Sequence, residues 1–278
     1  MSNRNIRAAP GVAESGLGRP LLGLTMAGLG IVGLVTGEFA SVWQRIPIDD
    51  LPGRPALALA TAAVELLAGL GLLFARTVTP AARTLVVFVL LWLVLLKLPA
   101  VIAVPQMEAT WLGFGEIAVI FAGAWIVFAR HAGAWERARM RWATGSNGVR
   151  AARWLFTIAL PMIGLSHFFY DRETASFVPQ WLPSPYAWAY LTGAGSLAAC
   201  AGLLFGVLPR VAATLEAAML VVITVLVWTP YLTPAPVDAF HVTGFLISSA
   251  IACGAWVVAD SYRASPWLSF VRPFSLRG

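Results

Sequence analysis

Charge is scarce in this chain. Only 12% of its 278 residues are Asp, Glu, Lys or Arg, against about 25% in a soluble domain. That shortage excludes an ordinary water-exposed globule. Cysteine is scarcer still, with two residues. Cys200 and Cys253 form no Cys-x-x-Cys and read as small apolar packing residues, so neither a disulfide scaffold nor a zinc site is expected. The chain also lacks a P-loop, a dinucleotide-binding fingerprint and a Gly-x-Ser-x-Gly. Those absences remove the common soluble-enzyme classes.

What is present instead is long apolar sequence. The hydrophobic share is 59% and the mean hydropathy is +0.78. Eight apolar runs lie at 21–42, 55–75, 82–104, 111–130, 152–170, 186–207, 210–233 and 240–260. A bilayer needs about 20 apolar residues per helix, so each run is long enough to cross. The runs are continuous rather than alternating in polarity, which argues against a closed barrel. The first is too long for the core of a typical secretory signal, and Glu38 and Ala40 make a poor cleavage site, so a retained helix is expected.

The net charge of +6 follows from topology rather than from nucleic-acid binding. With eight spans and the N-terminus inside, fifteen arginines fall in inner segments. Only Arg45, Arg54 and Arg172 fall in outer loops, and Lys97 lies within a span. The positive-inside rule then puts both termini in the cytoplasm of a multi-pass protein of the cytoplasmic (inner) membrane. Trp43, Trp111 and Trp181 fall at the outer interface, and Trp135, Trp142, Trp154 and Trp267 at the inner one.

Val64–Phe74 has a near-copy 131 positions later, at 195–205. Sliding the chain over itself by that offset aligns both halves without a gap, and 29 of 104 positions from Leu24 to Val127 are identical. The matches cover all four runs of each half, so the chain reads as a tandem duplication. Four spans per repeat is an even number, so both repeats enter from the same side. Their axis should lie along the membrane normal. The expected fold is all-α, with eight transmembrane helices in two tandem four-helix bundles packed side by side. The expected boundaries are an N-terminal cytoplasmic tail at 1–19, a first repeat at 20–130, a basic cytoplasmic linker at 131–151, a second repeat at 152–262 and a C-terminal tail at 263–278. Residues 1–18 are polar and expected to be disordered. The linker should begin as a short interfacial helix drawn to anionic lipid. Pro99 and Pro230 should kink the third helix of each bundle. The 43–54 loop carries Asp49 and Asp50, and the 170–185 loop should cap the second bundle at the interface.

Val-Glu-Leu-Leu-Ala-Gly-Leu-Gly-Leu-Leu at 64–73 resembles the second-helix motif of DoxX-type membrane proteins. So do Gly-Leu-Ser-His-Phe-Phe-Tyr at 164–170, the stretch at 174–183 and the stretch at 191–204. The resemblance implies two DoxX-like four-helix units in tandem. It also implies an association with membrane redox chemistry, since the family takes its name from a subunit of an oxidoreductase that passes electrons to quinone. Only Glu65 and His167 carry over. Ser196 replaces the glutamate in the second repeat, and Thr36 stands opposite His167 in the first.

Ionisable residues inside a membrane are costly and mark functional sites by default. Glu38, Lys97 and Glu116 lie at similar depth toward the outer face. They read either as a structural ion pair, Lys97 with Glu116 or Glu38, or as a polar pocket binding a quinone headgroup or another small ligand. Glu65 lies nearer the midplane, in a packing, hydrogen-bonding or proton-transfer role. His167 and His241 sit toward the outer ends of their helices, near Tyr170, Asp171 and Asp238. They read as interfacial histidines, or as a metal or proton-relay pair. Glu216 is expected to pair with Arg210 or Arg83. The ligand-binding candidates are therefore Glu38, Glu65, Lys97, Glu116, His167 and His241, and no catalytic residue is assigned.

The expected function is membrane-redox-associated binding of a quinone or lipid-like ligand near the outer face. The alternatives are a small-molecule or ion transporter, or a non-catalytic membrane subunit of a larger complex. The cofactor stays open, with a quinone among the groups it admits. Expected partners are the lipid bilayer and a membrane redox partner or a second copy of the chain.

Overall fold

The computed structural model describes residues 16–40, 52–233 and 238–270. The 1–15 tail, Trp43, Arg45, Asp49, Asp50 and residues 271–278 lie outside the described residues.

Every apolar run becomes a helix. In hydrocarbon each backbone N–H and C=O must find a partner within the chain, and a helix supplies these from its own residues. The eight long helices are α1 (Gly18–Thr36), α2 (Arg54–Leu73), α3 (Val78–Ala103), α4 (Glu108–His131), α6 (Gly145–Phe169), α8 (Pro185–Leu204), α9 (Pro209–Leu232) and α10 (Ala239–Ser261). All eight are long and apolar enough to cross a membrane. Two short helices join them, α5 (Ala134–Arg139) and α7 (Asp171–Ser176). The fold is all-helical among the described residues. α5 is the short linker helix that the sequence leads one to expect.

Proline and glycine set the starts. α8 and α9 open on Pro185 and Pro209, where the missing N–H costs nothing. α2 follows Gly53, whose φ of 74° suits a residue without a Cβ. α6 begins at Gly145, seven residues before the expected start of its apolar run. Gly148 makes this first turn fit, because a Cβ there would lie 2.1 Å from the carbonyl oxygen of Ala143.

The prolines in α3 and α9 act through the turns next to them. Pro99 cannot donate to the carbonyl four residues back. A wider π turn at Leu93–Lys97 precedes it. At Pro230 the last turn of α9 tightens to a 3-10 turn, Thr229–Leu232.

α1 packs on α2, α2 on α3, and α3 on α4. In the second half, α6 packs on α8, α8 on α9, and α9 on α10. The halves join by exchange: α1 lies against α10, α4 against α6, and α4 against α10. Small residues allow these approaches. A Cβ on Gly123 of α4 would lie 2.6 Å from the Cα of Gly254 on α10. The buried apolar core runs through this junction, from Leu22 and Met26 on α1 to Ile117, Ile120, Phe156 and Leu160 on α4 and α6.

Two rims result. One holds the α2–α3 and α8–α9 turns, α5 and the ends of α4 and α10. It is rich in arginine. Arg83 pairs with the buried Glu136 of α5, Arg139 lies over Trp135 at 5.1 Å and Arg210 over Trp267 at 4.0 Å. Residues after α10 fold back along this rim, where the N–H of Leu208 donates to the carbonyl of Ser269. The opposite rim holds the ends of α1, α3, α6 and α9, and carries most of the acidic and histidine side chains expected to matter.

Candidate functional site

α3 and α4 bring charges together at the rim opposite the arginines. Lys97 closes the π turn of α3, and Glu116 lies two turns into α4. Lys97 and Glu116 lie within electrostatic reach of one another. Gly113 leaves room for the lysine, since a Cβ there would sit 3.4 Å from its Nζ. Of the two acids that the sequence offers Lys97, Glu116 is the one within its reach. Glu38 is turned elsewhere: its Oε2 accepts from Arg54 at 2.8 Å, and its side chain is 61% exposed. Arg54 also lies over Phe39.

Glu108, the first residue of α4, joins the cluster, two helical turns from Glu116. It lines a cavity of about 360 Å³ with Val104, Gln106, Met107, Phe169 and Tyr170. Both Glu108 carboxylate oxygens are buried and hydrogen-bond to nothing in the protein. In the same lining, the Tyr170 oxygen accepts the N–H of Ala109, the residue after Glu108, at 3.0 Å. Its own O–H therefore remains available to donate. The lining thus includes both a carboxylate acceptor and a phenol donor. Sequence reading passed over Glu108 because it lies three residues before the fourth apolar run. The signal was its spacing of eight from Glu116, about two helical turns.

A second hollow of about 360 Å³ lies between α2 and α3. Its lining, including Leu57, Val64, Phe88, Trp92 and Leu96, is apolar throughout.

The histidines are engaged separately. His167 Nδ1 lies 2.9 Å from Thr192 Oγ1 on α8. His241 Nδ1 lies 3.5 Å from Asp238 Oδ2, and its ring stacks on Tyr231 at 4.8 Å. Asp171 accepts from Tyr190 at 2.7 Å. No group of three His, Cys, Asp or Glu side chains converges among the described residues.

Two acids buried within the long helices belong to different interfaces. Glu65 is 2% exposed, on the face of α2 that meets α1 closely at Gly30. Glu216 is also 2% exposed and accepts a hydrogen bond from Ser196 at 2.9 Å. It does not take the expected arginines. Arg83 is held by Glu136, and Arg210 donates to the carbonyls of Arg263 and Ser265 at 3.0 Å each. Both arginines lie at the polar rim, whereas Glu216 lies two turns into α9.

A protein-family model described as "Domain of unknown function (DUF8561)" matches residues 156–227. That stretch runs from α6 into α9 and includes His167, Ser196 and Glu216. No curated protein and no solved structure matches the chain.

Proposed function

We propose that this integral membrane protein binds the hydroxyl-bearing headgroup of a lipid-soluble ligand, a quinol being the favoured class, at the rim formed by α3, α4 and the end of α6. The observation that carries the reading is Glu108. Its two buried oxygens have no protein partner, and a buried carboxylate left so is costly unless a ligand or water completes it. A quinol hydroxyl both donates and accepts. Glu108 would take its proton, and Tyr170 would donate to its oxygen. Lys97 and Glu116 set the charge behind the cavity.

The same reading makes the chain two four-helix repeats, 20–130 and 152–262, of the DoxX-like kind. Three equivalences at the 131-residue offset support it. Gly71 lies against Ala81 as Gly202 lies against Ala212, Gly33 meets position 62 as Gly164 meets 193, and Gly123 meets its own counterpart Gly254. The arginine-rich rim is then cytoplasmic, with both termini, and the Glu108 cavity opens on the outer face. The role in membrane redox chemistry follows from the DoxX resemblance, with a partner complex as the electron carrier.

Mass spectrometry of lipid-soluble molecules that co-purify in mild detergent tests this. The expected result is a stoichiometric quinone or quinol, depleted several-fold in Glu108→Gln. Bulk phospholipid alone contradicts the reading.

A transporter is the second reading, favoured by Glu65 and Glu216 buried within spans. Flux into liposomes that falls in Glu65→Gln would support it.

A further inference from the structure

Glu216 is a buried acid that the rim site does not use. It lies on α9 where that helix packs against α8. Its Oε1 accepts from the Ser196 hydroxyl, while its Oε2 is buried and has no hydrogen-bond partner. The 131-residue offset puts Ser196 at the counterpart of Glu65, and Leu85 at the counterpart of Glu216. The carboxyl on α2 of the first half thus has no counterpart at the same position in the second. In the second half a buried acid lies on α9, and a serine hydroxyl on α8 faces it.

Among the described residues no arginine or lysine forms an ion pair with Glu216. Arg210, on the same helix, is tied to the carbonyls of Arg263 and Ser265. The titratable groups on α8 are Tyr186, Tyr190 and Cys200, and those on α10 are His241, Cys253 and Asp260. Tyr190 is bound to Asp171, His241 lies beside Asp238, and Asp260 is bound to Arg263 and to the N–H of Gly18. Cys253 interacts with Thr25. Cys200 lies one turn from Ser196 and is a weak donor without positive charge.

We propose that Glu216 and Ser196 form a proton-binding site in the membrane interior. An ionised Glu216 would be an unpaired charge in apolar surroundings, so the neutral acid is the resident form. Ser196 holds the carbonyl oxygen of that acid. The second oxygen carries the exchangeable proton, and its lack of a protein acceptor leaves the proton free to be passed on rather than locked in a structural bond. The site is independent of the Glu108 cavity.

A hydrophobic carbodiimide tests this, because it adds only to a protonated carboxyl. The carboxyl oxygen bonds to the central carbon and the acid proton goes to one nitrogen. Migration of the acyl group to nitrogen leaves a stable adduct with no leaving group. Full-length protein in phosphatidylcholine liposomes would be treated with dicyclohexylcarbodiimide at acidic, neutral and alkaline pH, then mapped by peptide mass spectrometry. The expected result is an adduct on Glu216 whose yield falls several-fold toward alkaline pH and which is absent in Glu216→Gln. In Ser196→Ala the fall should move to higher pH, because the hydroxyl helps the ionised form. A purely packing role for Ser196 would not shift that profile. Glu216 unmodified at every pH, or labelled to the same extent at every pH, overturns the proposal, and both outcomes are read on the wild-type protein.

Discussion

Gly123 of α4 and Gly254 of α10 lie so close that a Cβ on Gly123 would come within 2.6 Å of the Gly254 Cα. The reverse substitution is as crowded, with a Cβ on Gly254 meeting the Val119 carbonyl oxygen at 2.8 Å. This backbone contact is one of the places where the two halves meet. Only glycine fits on either side, and the obstacle is main chain that cannot rotate away. Without a hydrophobic drive between helices in lipid, such close packing does the joining. Gly123→Leu should cost about 1–3 kcal/mol through overpacking, read as a lower melting temperature in detergent. An unchanged melting temperature would mean that the α4–α10 contact is dispensable.

The arginine-rich rim has its own test. Glu136 is 1% exposed and is held by Arg83, which reaches it from α3. Arg83→Ala strands a buried carboxylate. The arginine is half exposed, so water would rescue part of the loss and about 1–3 kcal/mol is expected. Arg83→Ala and Glu136→Ala should be strongly non-additive in a double-mutant cycle. Glu216→Gln should add independently to Arg83→Ala, because these two do not touch.

Asp260 links the ends of the chain's two halves. It accepts from the Gly18 N–H at 3.0 Å and pairs with Arg263 at 2.9 Å. It thereby caps α1, which has no side-chain cap of its own. Asp260→Ala should cost about 1–2 kcal/mol, the usual worth of a lost cap. Hydrogen exchange should rise first in the opening turn of α1, and exchange that stays uniform would contradict this.

Tyr262 follows α10 and gives a pH signature. Burial pushes its phenol above the ordinary value of 10.0, and the Arg153 guanidinium, 3.8 Å over its ring, pulls part of the way back. A raised folded-state value means that the unfolded chain loses this proton first as pH rises. The contribution is complete below about pH 10 and is lost through the range above it. Tyr262→Phe keeps the ring under Arg153. Its stability should fall less steeply with alkaline pH than the wild type's, and parallel curves would argue against the assignment.

These tests also separate what the sequence disclosed from what it hid. Helix count and approximate bounds were legible because a bilayer imposes both length and apolarity, and eight such runs could form little else. The short helix Ala134–Arg139 was likewise legible from its place in the basic linker. Pairings were harder. Depth along a helix follows from sequence position, but the direction a side chain faces relative to a distant helix does not. Glu38, Lys97 and Glu116 have similar depths, yet only Lys97 and Glu116 share the α3–α4 face, and Glu38 turns to Arg54. Glu216 was matched to arginines by charge, whereas its neighbour is Ser196, a neutral residue that charge-matching could not reveal. The α1–α10 and α4–α6 contacts depend on how the halves join, which no local pattern encodes. Glu108 escaped notice because a carboxylate at the edge of a span reads as solvated until the cavity around it is seen.

The most direct test is a titration of purified protein with a short-chain quinol, followed by quenching of tryptophan fluorescence, in wild type, Glu108→Gln and Tyr170→Phe. Trp111 lies on α4 one turn beyond Glu108 and serves as the local reporter. Saturable quenching is expected in the wild type. Each lost hydrogen bond should weaken affinity about tenfold, corresponding to roughly 1.4 kcal/mol, with the larger loss at Glu108. Binding of equal strength in all three proteins, or none in the wild type, would contradict a ligand site at this rim.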